Sequence, residues 1–237
     1  MGAFFRTEWG KLRVMSFRDK RQYIWEYYKV HIFIFAIVGF IIGSLINVWF
    51  INPPKRDYLY IAWLDLQFVS SAQLERLGHN LDIIVTDPDR YQVLATSYAM
   101  TDNPELNMAL QSRFTALLST GSIDVFLTPQ EGVQELAVHG MIRPISFVME
   151  EVYKINPELY AYLTDRLLIL TFTSEGAEAY MTEPMAISMA DSPLFPYLEI
   201  DASDLYFAMV INSNKAYELA KSLEAIFGMR TEVPYYG

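Results

Sequence analysis

The chain has 237 residues, a net charge of −10 and no cysteine. The missing thiols exclude a disulfide framework, a thiolate zinc site, a cysteine nucleophile and a lipid-modified N-terminal cysteine. The acidic balance excludes the Lys/Arg-lined surface that phosphates require, so nucleic acid is not an expected partner.

The N-terminal end runs against that balance. Residues 1–31 hold seven Lys/Arg against three Asp/Glu, whereas residues 55–237 hold eleven against twenty-five. Ser16, Phe17, Arg18 and Asp19 have the Ser-x-x-Asp form of a helix start, in which the hydroxyl accepts from an amide one turn on. A helix over 16–31 is expected, lying at a membrane interface or running straight into the next segment. Trp25, Tyr27 and Tyr28 would sit at the headgroup level.

Residues 32–52, IFIFAIVGFIIGSLINVWFIN, carry no charge. A bilayer is crossed by about 20 such residues. A cleaved signal sequence has a shorter apolar core, about 7–15 residues, and a small-residue cleavage site. Here the run leaves through Trp49, Phe50, Pro53 and Pro54, so an uncleaved transmembrane anchor is expected. The positive-inside rule then places residues 1–31 in the cytoplasm and residues 57–237, one domain, outside the cell membrane. Gly39, Gly43 and Asn47 recur every four residues on one face of the span. Small residues with an Asn allow self-association or docking on a membrane-protein partner.

After the Pro53-Pro54 break the outer segment alternates strands and helices. Strands are expected over 58–64, 81–85 and 123–127, with helices over 71–78, 103–119 and 131–138. Residues 91–100 fit either. Leu106, Leu110, Phe114, Leu117 and Leu118 mark the core face of the helix at 103–119. This alternation predicts an α/β domain with crossover connections.

The stretch 110–128, LQSRFTALLSTGSIDVFLT, and the stretch 131–145, EGVQELAVHGMIRPI, resemble the first lobe of extracellular solute-binding proteins, the type II periplasmic-binding-protein fold of sugar importers. Gly121, Asp124, Val125, Gly140 and Pro144 carry the match. The run 204–227, DLYFAMVINSNKAYELAKSLEAIF, resembles the strand, Asn-Ser turn and helix that return to that lobe. The resemblance implies a single reduced lobe. Only 58 residues, 146–203, separate the matching parts, too few for a second lobe that could close by a hinge. Residues 15–29 also resemble a group of single-pass membrane proteins of Firmicutes.

Chemistry is sparse. His31, His79 and His139 have no second ligand at i+3 or i+4, and no Gly-x-Ser-x-Gly elbow or phosphate loop is present. Asp82, Asp87 and Asp89 form one acidic group and Glu199, Asp201 and Asp204 another. Neither has calcium-loop spacing, and both read as solvated turn carboxylates. No catalytic residue, metal or cofactor is therefore assigned. Asp65, Gln67, Thr86 and Thr128 fall at predicted strand ends, where α/β sheets collect ligands. They are the candidate lining of a small cleft. Leu194, Phe195 and Tyr197, in the segment 193–197, form a rigid apolar loop of the kind that enters a partner. Tyr153, Tyr160, Tyr162 and Tyr180 cluster nearby. These features favour a non-enzymatic accessory or docking protein of a transporter-like membrane complex. A tethered ligand-binding or sensing module ranks second, and a surface hydrolase last.

Overall fold

The computed structural model describes residues 16–51, 53–64, 69–98, 103–172 and 181–228. The chain divides into two compact units, Met1–Pro54 and Lys55–Gly237.

In the first unit, α1 (Phe17–Ile46) is one continuous helix of 30 residues. The Ser16 hydroxyl accepts from the Asp19 amide at 3.3 Å and donates to the Asp19 carboxylate at 2.6 Å, which starts the helix as the pattern requires. Of the two arrangements expected for residues 16–31, an interfacial helix or one running straight into the apolar segment, the helix is continuous with that segment. Asn47–Ile51 widens into a π-helical turn. Within Tyr28–Ile51 an 18-residue window has a mean hydropathy of 2.4 and buries nothing within the unit. This helix is long and apolar enough to cross a membrane. A Cβ added at Gly39 or Gly43 would meet no atom, so that side of the helix is bare backbone.

The second unit is a mixed six-stranded sheet with helices on both faces. In chain order its elements are β1 (Arg56–Trp63), α2 (Ser71–Leu81), β2 (Tyr91–Ser97), α3 (Pro104–Ser119), β3 (Val125–Thr128), α4 (Gln130–Val138), α5 (Ser146–Ile155), α6 (Pro157–Thr164), β4 (Leu167–Phe172), β5 (Met181–Ser188), α7 (Leu194–Tyr197), β6 (Tyr206–Met209) and α8 (Ala216–Ile226). The strand order is β2-β1-β3-β6-β5-β4. β1 is parallel to β2 and β3, while β6, β5 and β4 pair antiparallel in succession from β3 outward.

Alternation along β1 divides the core. Leu59, Ile61 and Trp63 face one layer, with α2, α5, α6, α7 and α8 packed on them. Tyr60 and Ala62 face the other, against α3 and α4. All five are buried, as expected for a parallel strand covered on both sides.

Residues 81–85 are not the strand that their apolar character suggested. Leu81 ends α2, and Asp82–Ile84 makes a 3-10 turn. The Asp82 carboxylate accepts from the Val93 amide at 2.7 Å, tying that turn to β2, which is the true second strand. Residues 146–203 build no second body. They supply α5, α6, β4, β5 and α7 to the same sheet and core. Gly121 and Gly140, at φ +66° and +64°, end α3 and α4 in the left-handed region, which favours glycine.

One polar cluster ties distant segments together. Asp124, just before β3, is 2 % exposed. It accepts from the Tyr60 amide at 2.9 Å, the Ser213 hydroxyl at 3.0 Å and the Lys215 ammonium at 2.9 Å. Lys215 also donates to the Tyr58 carbonyl at 2.8 Å. The β6–α8 connection is thereby fastened to β1 and β3.

Candidate functional site

The four residues expected to line a cleft do not come together. Asp65 and Gln67 lie outside the described residues. Thr128 ends β3 and is 1 % exposed, with its hydroxyl in the space that a Cβ on Gly132 would take. It is absorbed in the close approach of α4 to β3. Thr86 lies in the connection before β2, at the opposite end of the parallel strands, where Arg56 pairs with Tyr91. The misread strand at 81–85 is the reason: with a turn in its place, Thr86 precedes a strand instead of following one. Asp87 and Asp89 share that connection, and Asp87 makes an exposed pair with Arg90 at 3.7 Å. In the other acidic group, Asp201 accepts from the Ser203 amide at 3.0 Å, and this bond lowers its pKa. Among the described residues no three His, Cys, Asp or Glu converge as a metal site. A hollow of about 240 Å³ between α3 and α4 is lined by Leu64, Phe114, Thr128, Leu136, His139 and Met141, among others.

The expected docking loop is also corrected. Leu194 and Phe195 are both 0 % exposed, and Phe195 packs edge-on to Trp63 at 6.3 Å. The Ser192 hydroxyl donates to the Ile226 carbonyl at 2.9 Å and accepts from the Leu194 amide at 3.2 Å. That bridge to the end of α8 turns the short helix α7 inward as a lid on the core. Of the three residues only Tyr197 reaches the surface, where Arg76 stands 5.8 Å from its ring.

Apolar side chains, Tyr153 and Ile169 among them, are exposed at the β4 side of the sheet. Here α5 and α6 stop short of covering the β4–β5 hairpin and leave a shelf of about 650 Å³. Its wall is Ser146, Met149, Glu150, Tyr153 and Lys154 from α5 with Tyr160 from α6, and its floor is Leu167 and Pro184. Such a volume lies within the usual range of binding pockets, about 300–1,000 Å³. The Tyr153 and Tyr160 rings meet edge to face at 5.2 Å. Ile169 stands two residues beyond Leu167 on the same face of β4 and is 62 % exposed.

Local sequence explains the shelf. The Ile145 amide donates to the Pro184 carbonyl at 2.8 Å, seating the start of α5 on β5. Pro184 brings no amide of its own and adjoins a bulge, where the register slips between Leu168 and Ile169. Among the described residues β4 is a sheet edge, and it carries no charged side chain. Lys154 is held by Glu151 at 2.6 Å, a bond that raises the Lys154 pKa and keeps it charged. Glu150 makes no hydrogen bond to a described residue, and its charge also acts on Lys154.

The tyrosine pair was visible in the sequence, but Tyr162 belongs elsewhere. It packs on Phe227 at 5.6 Å and under Arg166 at 3.5 Å. Tyr180 lies outside the described residues. Pro184, Leu167 and Ile169 were missed. For Leu167 and Ile169 the signal is the uncharged run 167–172, in a strand with one neighbour among the described residues; Pro184 had no such signal. Comparison with family models, curated proteins and solved structures found no match to this chain.

Proposed function

We propose that this chain is a membrane-anchored, non-enzymatic docking protein that joins a transporter-like membrane complex. In this reading α1 crosses the cell membrane with residues 1–31 in the cytoplasm, and the α/β domain stands outside as a reduced relative of one solute-binding lobe. The observation that carries the docking role is the shelf over β4 and β5, an apolar surface with aromatic rings that the domain leaves uncovered. Aromatic side chains at the surface are enriched in protein interfaces. The packing of the β6–α8 segment onto β1 and β3 through Asp124 supports the lobe resemblance. The hollow between α3 and α4 is the better seat for a tethered sensor's ligand. Its 240 Å³ falls below the usual range for ligand pockets.

Cross-linking of the full-length protein in native membranes, followed by mass spectrometry, tests the proposal. The expected result is one stoichiometric membrane partner, weakened by Gly43→Leu, which fills the small-residue face of α1. A rise in melting temperature with a sugar, peptide or ion from a library, with no partner captured, would overturn it in favour of the sensor.

A further inference from the structure

We infer that the shelf over β4 and β5 takes a cationic, apolar segment of a partner protein, with a Lys or Arg side chain set against Glu150 and the Tyr153 ring. This rests on the docking reading and names the chemistry of the partner. Glu150 and Tyr153 are three residues apart on α5, so they stand on one face of the helix, and both line the shelf. Tyr153 is 59 % exposed, leaving its ring open to a cation. The one cation on the wall, Lys154, hydrogen-bonds Glu151 and is drawn to Glu150 as well, so two carboxylates share a single ammonium and the wall keeps a net negative charge. Leu167, Pro184 and Ile169 offer apolar surface beside it for the aliphatic part of the same segment.

Charge separates this occupant from the others. An anionic lipid surface would be repelled by Glu150 and by a domain whose residues 55–237 carry twenty-five acidic against eleven basic side chains. A second copy would bring an identical acidic shelf, because a two-fold interface sets a patch against itself. A basic, apolar segment meets both the charge and the rings.

The test uses the full-length protein in nanodiscs of zwitterionic lipid and a fluorescent peptide of alternating Leu and Arg, read by anisotropy. The peptide is expected to bind, and its Leu/Glu counterpart is not. Glu150→Lys and Tyr153→Ala are each expected to weaken binding about tenfold, while Tyr153→Phe keeps it and Asp89→Lys, remote from the shelf, leaves it unchanged. Failure of the Leu/Arg peptide to bind, equal binding of the two peptides, or an equal effect of Asp89→Lys and Glu150→Lys would overturn the inference. Dimerisation abolished by Ile169→Arg, or capture of anionic vesicles abolished by Tyr153→Ala, would give the shelf to a second copy or to lipid and overturn it too. Native-membrane cross-linking separates the two levels. A partner retained by Glu150→Lys leaves docking standing without the shelf. Peptide binding without any captured partner leaves the shelf standing without the docking role.

Discussion

Helix α8 buries six of its eleven residues, whereas α3, with sixteen, buries none. The apolar side chains of α8 gather on one face far more strongly than those of α3, so sequence explains part of the contrast and the neighbouring elements the rest. α8 lies against α5 and α2 as well as the sheet, and Ala220, Ser222 and Ala225 let its neighbours come close. Its start is held by Lys215 on Asp124. α3 has the sheet on one side and little beside it. Phe114 meets Tyr98 at 5.1 Å and Phe126 at 5.9 Å, yet Leu106 is 46 % and Met108 68 % exposed. A helix is buried by what stands on its flanks as well as by its apolar stripe.

The contrast can be broken by mutation. Leu223→Ala, at a fully buried position on α8, should cost about 3 kcal/mol and lower the melting temperature by about 6–12 °C. Asp124→Ala should cost about 2 kcal/mol, because it strands the Tyr60 amide and the Lys215 ammonium, the latter only partly screened by water. Its melting curve should shift down by less than that of Leu223→Ala. Leu106→Ala on α3 should stay within about 0.5 kcal/mol. If its melting temperature falls as far as that of Leu223→Ala, α3 is a core helix and the contrast fails.

The two helices also show what could be read in advance. The start of α1, the strand at β1 and the limits of α3 and α4 followed from local signals: Ser16 with Asp19, an aromatic β-rich run, Asn103-Pro104 as a cap, and Gly121 and Gly140 as stops. The core face of α3 was named correctly only in part. Leu117, Leu118 and Phe114 pack inward, but Leu106 does not, because helical spacing says nothing about how far the neighbouring layer extends. The strand misread at 81–85 and the loop misread at 193–197 share a cause. Short apolar runs look alike whether they end a helix, form a strand or cap a core. The contacts that decide between them, Asp82 to Val93 across 11 residues and Ser192 to Ile226 across 34, reach beyond the short runs themselves. The shelf was half legible for the same reason: its tyrosines lie close together along the chain, but its floor comes from two later strands.

The place of β6 has a consequence for timing. Among the described residues it is the one strand that joins β3 to β5, pairing Val125 with Met209 on one side and Ile187 with Phe207 on the other. Everything synthesised before it forms two separate pieces of sheet, a parallel trio and an antiparallel hairpin, each with an open edge where β6 belongs. Neither can be completed until residue 209 has left the ribosome, so nearly the whole domain waits on one four-residue strand. Long-range closure of this kind slows folding and leaves unpaired edges open to aggregation in the meantime.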